Sequence, residues 1–153
     1  MLHAVAAVVS ALHLLALAIG LPAIVLRALA LSGPRDPGMA PRVLVADSAW
    51  GVAALLWLTT GPARAFGPLE KGSAFYLSSW LFYIKMGLFL LVFALEIRPM
   101  LAFMRWRGAL RKKEAIDLSL APSYARTSWI QAGLVLVIVF VASFMARGFG
   151  LRH

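Results

Sequence analysis

Four long runs of apolar residues, separated by short polar segments, dominate the chain. They lie at residues 2–26, 43–61, 74–97 and 128–146. The first run contains no Asp, Glu, Lys or Arg, and it is longer than the roughly 20 residues that a helix needs to cross the hydrocarbon core of a bilayer. The pattern therefore predicts four transmembrane helices.

The segments between the runs contain clusters of glycine and proline, which interrupt helices. Because the first two connections are short, successive helices are expected to pack side by side and antiparallel. We predict an all-α integral membrane four-helix bundle, arranged up-down-up-down, in a single membrane domain at residues 1–153.

Composition supports a membrane location. Hydrophobic residues make up 62% of the chain and charged residues 14%, whereas soluble proteins have about 45–50% apolar and about 25% charged residues. The chain has no cysteine, which excludes disulfides, iron–sulfur clusters and covalently attached c-type haem.

The net charge of +9 lies mostly at the ends of the apolar runs, a distribution typical of membrane topology rather than of nucleic-acid binding. Ten Lys and Arg residues lie on the side of the first and third connections and four on the other side, with Lys85 on neither. The positive-inside rule then places both termini outside.

The third connection, residues 98–127, is strongly basic. Its segment 98–120 mixes basic with large apolar residues, which predicts an interfacial helix in the inner headgroup layer that contacts anionic lipid. A solvated basic loop is the alternative.

His13 and Lys85 are ionisable residues inside apolar runs. Each lies eleven residues from the outer end of its run, which places both at a depth of about 16 Å, near the middle of the bilayer. A hydrogen bond to Ser78 or Ser79 is the structural interpretation for His13. No span carboxylate is expected at the level of Lys85, which favours an anionic ligand, a lowered pKa of the ammonium group or a water-filled cavity.

Arg27 and Asp47 are expected at similar depth in the first two antiparallel spans, so we predict an ion pair that fixes their register. Trp50 and Trp57 follow Asp47 at helical spacing along one side of the second span.

Two segments carry a resemblance to known families. SALHLLALAIGLP (10–22), with His13, and WLFYIKMGLFLL (80–91), with Lys85, resemble the His-bearing and Lys-bearing spans of HemJ-type protoporphyrinogen oxidases and the wider CopD-like membrane group. The whole chain is more similar still to an uncharacterised family of predicted bacterial membrane proteins, in which the stretches 45–51, 66–72 and 98–100 are typical. That family implies the inner (cytoplasmic) membrane of a bacterium.

The HemJ resemblance implies that the bundle binds b-type haem or a porphyrin and has a redox or tetrapyrrole-handling role. His13 would be an axial metal ligand and Lys85 would lie near the tetrapyrrole, while Arg27, Trp50 and Trp57 complete the set of cofactor-binding candidates. HemJ-type proteins carry further histidines near the ends of these spans, which this chain lacks. Whether it is an enzyme, and which residues would be catalytic, therefore stays open.

Two other functions compete with haem binding. His13 and Lys85 would suit a midplane carrier or sensor for a proton, a metal or a small anion. Alternatively, small-residue faces around Gly20, Gly51 and Gly87 would suit a non-catalytic assembly subunit or a homo-oligomer.

Overall fold

The computed structural model describes residues 1–67 and 72–151. Its helices are α1 (Leu2–Ser32), α2 (Met39–Phe66), α3 (Gly72–Ser78), α4 (Trp80–Lys112) and α5 (Ala121–Ala146). All of these except the short α3 are long and apolar enough to cross a membrane. The predicted all-α fold with four membrane spans is confirmed. Lys71 and Arg152, which entered the count of basic residues, and the terminal His153 lie outside the described ranges.

The long helices pack in the predicted up-down-up-down order. α1 packs most extensively against α2 and also contacts α5, and α5 packs against α4, whereas α2 and α4 contact each other only slightly. Arg27, near the end of α1, contacts Asp47 near the start of α2 and Ser128 near the start of α5. These contacts require α1 to run antiparallel to both neighbours.

The third long helix starts later than predicted. Residues 74–78 belong to α3, and α4 begins at Trp80 because Ser79 is extended, with φ −96° and ψ 120°. The Trp80 amide donates a hydrogen bond of 3.0 Å to the Gly150 carbonyl, and Ser79 forms an isolated β-bridge with Leu151. The C-terminal segment thus supplies a hydrogen-bond acceptor to the start of α4.

The basic segment 98–120 does not form a separate interfacial helix. Its first part continues α4 as far as Lys112, through Pro99, and Lys113 ends the helix in the left-handed conformation at φ 57°. The reason is burial: Phe103 and Trp106 lie on one helix face, in an apolar cluster with Met39. Consequently the non-helical part of the predicted 98–127 loop is only 113–120.

Apolar clusters form the core at successive levels of the bundle. One, around Met39, Phe103 and Tyr124, lies where α1 ends and α2 begins. The next is centred on Ile24 and Trp50. Another packs the start of α4 against Ala65, Tyr76 and Met145 at the opposite end.

Of the three glycines expected to form small-residue faces, Gly20 is the one in close contact with another helix. A Cβ atom at Gly20 would lie 2.9 Å from the ring of Trp57 and 3.0 Å from the Ala53 Cβ, whereas one at Gly51 or Gly87 would meet nothing within 4 Å. Gly20 therefore permits the close approach of α1 and α2.

Gly20→Ala should destabilise the bundle by about 1–3 kcal/mol, because the added methyl group pushes against Trp57 and Ala53. Thermal unfolding of purified protein in detergent micelles, followed by circular dichroism, measures the effect. Gly51→Ala and Gly87→Ala are matched controls that should be neutral or slightly stabilising. Equal unfolding temperatures for all three variants would contradict the proposed role of Gly20.

Candidate functional site

A fully buried arginine side chain lies in the bundle core between the two apolar clusters around Phe103 and Trp50. The side chain of Arg27 has 0% of its surface exposed. Its Nη1 donates hydrogen bonds to Asp47 Oδ1 (2.9 Å) and Glu96 Oε1 (2.7 Å). Its Nη2 donates to Glu96 Oε2 (2.8 Å) and Gln131 Oε1 (2.9 Å), and its Nε donates to Ser128 Oγ (3.1 Å).

These contacts use all five N–H donors of the guanidinium group. The pair of bonds to Glu96 is bidentate, the geometry that gives an arginine–carboxylate pair its strength and directionality. The guanidinium carbon also lies 5.4 Å from the ring centroid of Phe103 and 6.0 Å from that of Trp50, which adds cation–π attraction. Arg27 thus contacts α2, α4 and α5 from α1.

Asp47 connects Arg27 to a second arginine that lies nearer the surface. Asp47 Oδ2 accepts a hydrogen bond of 2.8 Å from Arg107, whose side chain is 39% exposed. Gln131 Nε2 donates to Glu96 Oε2 and to the Val92 carbonyl. We call this set the Arg27 network; its members are Arg27, Asp47, Glu96, Arg107, Ser128 and Gln131.

The formal charges of the Arg27 network cancel, because two arginines face two carboxylates. Neutrality and a full set of hydrogen bonds are the conditions under which buried charges become tolerable in a low-dielectric core. The predicted Arg27–Asp47 ion pair is confirmed.

His13 forms its hydrogen bond with a different residue from the one predicted. Its Nδ1 lies 2.8 Å from Thr60 Oγ1 on α2, not beside Ser78, which donates to the Phe75 carbonyl. The other predicted partner, Ser79, has a buried hydroxyl with no hydrogen-bond partner among the described residues. Thr60 is the partner because α1 packs chiefly against α2.

The Thr60 contact favours one tautomer of His13. The Thr60 hydroxyl donates its own hydrogen to the Leu56 carbonyl, so Thr60 Oγ1 accepts from the imidazole. In a neutral imidazole, a hydrogen on Nδ1 leaves the lone pair on Nε2.

Lys85 is half-buried on α4 and does not lack a partner in the structure. This interaction removes the reason for expecting an anionic ligand at Lys85. The expectation that neither span carboxylate lies beside Lys85 agrees with the structure, because Asp47 and Glu96 both belong to the Arg27 network.

The structure divides the predicted cofactor-binding residues between two levels of the bundle. Trp50 is buried beside Arg27, and Trp57 contacts Trp50 edge to face, with ring centroids 5.9 Å apart. His13 precedes Arg27 by fourteen residues on α1, a separation of about 21 Å along the helix. The described residues contain no group of three or more His, Cys, Asp or Glu that could hold a metal ion.

Sequence reasoning did not assign Glu96, Arg107, Ser128 and Gln131 to this site. The signals were present, since Ser128 and Gln131 lie three residues apart on one face at the start of an otherwise apolar span. Buried polar residues at helical spacing require partners, and Arg27 was the available cation.

Comparison with known proteins identifies the family to which the chain belongs. A model of predicted membrane proteins, DUF2214, matches residues 5–150. The chain belongs to the DUF2214 family. No curated protein and no solved structure matches it, and the more distant resemblance to HemJ-type and CopD-like proteins finds no support in these comparisons. Membership in DUF2214 agrees with the predicted family of membrane proteins and brings no activity with it.

Arg27→Met should destabilise the protein by about 3–5 kcal/mol, because it leaves the carboxylates of Asp47 and Glu96 buried with less compensation. Thermal unfolding in detergent micelles measures the loss. Arg98→Met, at an exposed position on α4, is the control and should cost less than about 0.5 kcal/mol.

The double variant Arg27→Met/Glu96→Gln separates charge balance from packing. If the network acts as one unit, adding Glu96→Gln should recover part of the stability lost in Arg27→Met. Strictly additive losses from the two substitutions would contradict that coupling.

Proposed function

We propose that the protein binds a b-type haem or a porphyrin in the half of the bundle that contains His13, with a role in electron transfer or tetrapyrrole handling. The observation that carries the proposal is the 2.8 Å hydrogen bond between His13 Nδ1 and Thr60 Oγ1.

Neutral imidazole with its hydrogen on Nδ1 is the form that ligates haem iron through Nε2. Thr60 would hold the ring in one orientation, and the Leu56 carbonyl would in turn hold Thr60. Partners of this kind fix the ring orientation of a metal-ligating histidine and increase its basicity. When bound, haem supplies one-electron chemistry that amino-acid side chains do not.

Two of the residues first considered for the tetrapyrrole do not fit that role. All five N–H donors of Arg27 are already used within the bundle, so it has none to offer a propionate. Trp50 is buried against Arg27. The proposed site is therefore limited to His13, Thr60 and, as a positive charge on α4, Lys85.

The purified protein should show a Soret band after expression with added haem precursor, and His13→Ala should abolish it. Thr60→Val should weaken haem retention about 10-fold, the lower end of the effect expected for losing the partner of a metal ligand. The readout is the absorption spectrum together with haem content per protein.

His3→Ala provides the matched control, because His3 is an exposed histidine on the same helix, and it should retain the band. Colourless wild-type protein, or a band unchanged in His13→Ala, would refute the haem proposal and favour the carrier or assembly functions.

We also infer that the protein lies in a bacterial inner membrane with both termini outside. The inference rests on the excess of Lys and Arg at the end of the bundle where α1 ends and α2 begins. The absence of native cysteine makes a direct test simple. A cysteine introduced at Ser119 should react with an impermeant maleimide in inside-out vesicles, and one at His3, an exposed residue at the start of α1, should react in intact spheroplasts. The reverse pattern would overturn the orientation.

A further inference from the structure

A cleft of about 600 Å³ opens between the end of α1 and the start of α5. Its walls include Ser32, Arg35, Ala125, Arg126, Trp129 and Ile130. The volume is within the range of small-ligand sites, roughly 300–1,000 Å³. The cleft lies at the end of the bundle that carries most of the basic residues.

The two arginines of the cleft have unused hydrogen-bond donors in the described part of the chain. Among residues 1–67 and 72–151, neither Arg35 nor Arg126 has an ion-pair or hydrogen-bond partner. The carboxylate next to Arg35 in sequence, Asp36, binds Arg42 at 2.9 Å, and this hydrogen bond lowers the pKa of the Asp36 carboxyl. Two guanidinium groups with unused donors are thus available for an anion.

The same cleft has an apolar wall. Trp129 and Ile130 are three and four residues after Arg126, so they lie on the same face of α5. The two residues are 45% and 47% exposed. Arg126 lies near the start of α5, so the residues that follow it lie nearer the middle of the helix and deeper in the bilayer. A ligand that fits this wall has an anionic head and an apolar body.

We propose that the cleft binds one anionic phospholipid, with its phosphate between Arg35 and Arg126 and an acyl chain along Trp129 and Ile130. A lipid matches both walls, whereas a free phosphate uses only the arginines. Basic pockets between membrane helices are a recurrent site for acidic headgroups, and tryptophan is enriched at the membrane–water interface.

The lipid would also join two helices. Leu31 of α1 and Ala125 of α5 both line the cleft, and Arg27 and Ser128 lie about one turn deeper on the same helices. A bound headgroup would therefore reinforce the α1–α5 contact that the Arg27–Ser128 hydrogen bond makes in the core.

Native mass spectrometry of delipidated protein, titrated with equal amounts of phosphatidylglycerol and phosphatidylcholine, tests the site. Wild type should retain phosphatidylglycerol preferentially. Arg35→Gln/Arg126→Gln should reduce the preference by about 10-fold or more, since each arginine near an anionic headgroup contributes about fivefold. Arg98→Gln/Arg111→Gln, a control pair of exposed arginines outside the cleft, should leave the preference within about twofold.

A preference that is unchanged in Arg35→Gln/Arg126→Gln, or reduced equally in the control pair, would overturn the proposal. Soluble glycerol phosphate distinguishes the two sources of phosphate. If it competes as well as phosphatidylglycerol at equal concentration, the occupant is a free phosphate compound and the lipid assignment is wrong. Trp129→Ala should weaken retention of phosphatidylglycerol without changing binding of glycerol phosphate.

Discussion

Neutralising the buried charge of Arg27 is the constraint on which the rest of the bundle depends. An ion removed from water costs several kcal/mol even after the protein relaxes around it, and apolar packing alone cannot offset that cost. Asp47 and Glu96 balance the charge from α2 and α4, while Ser128 and Gln131 complete the hydrogen bonds from α5. Since hydrogen bonds require particular distances and angles, this one side chain fixes the rotation and axial position of all four long helices.

The two halves of the bundle differ in how firmly they are joined. The half around Arg27 contains the charge network and two apolar clusters, with aromatic rings against the guanidinium group. In α1, by contrast, only 11% of the residues in the most apolar stretch are buried, and His13 is hydrogen-bonded to Thr60 on α2. Rigid architecture and the proposed ligand site therefore occupy separate parts of a very small protein.

The number of spans, their antiparallel order and the Arg27–Asp47 pair were predictable from sequence because they depend on local facts: run length, short connections and depth along adjacent helices. Glu96 and Gln131 were not assigned to Arg27, because the axial position of α4 and α5 relative to α1 is set by packing across the bundle and no short loop fixes it. The end of α4 was predicted too early, because the basic residues after Ile97 obscured the apolar helix face that buries Phe103 and Trp106.

The Arg27 network also has a consequence for how the chain is made. Synthesis proceeds from the N-terminus, so α1 emerges with an arginine whose partners do not yet exist. Asp47 follows after 20 residues and Glu96 after 69, and Gln131 arrives 104 residues after Arg27. Until then, Arg27 must extend towards the lipid headgroups, as arginines near helix ends do. Final assembly of the Arg27 network is therefore a late, cooperative step, completed only when α5 leaves the translocation machinery.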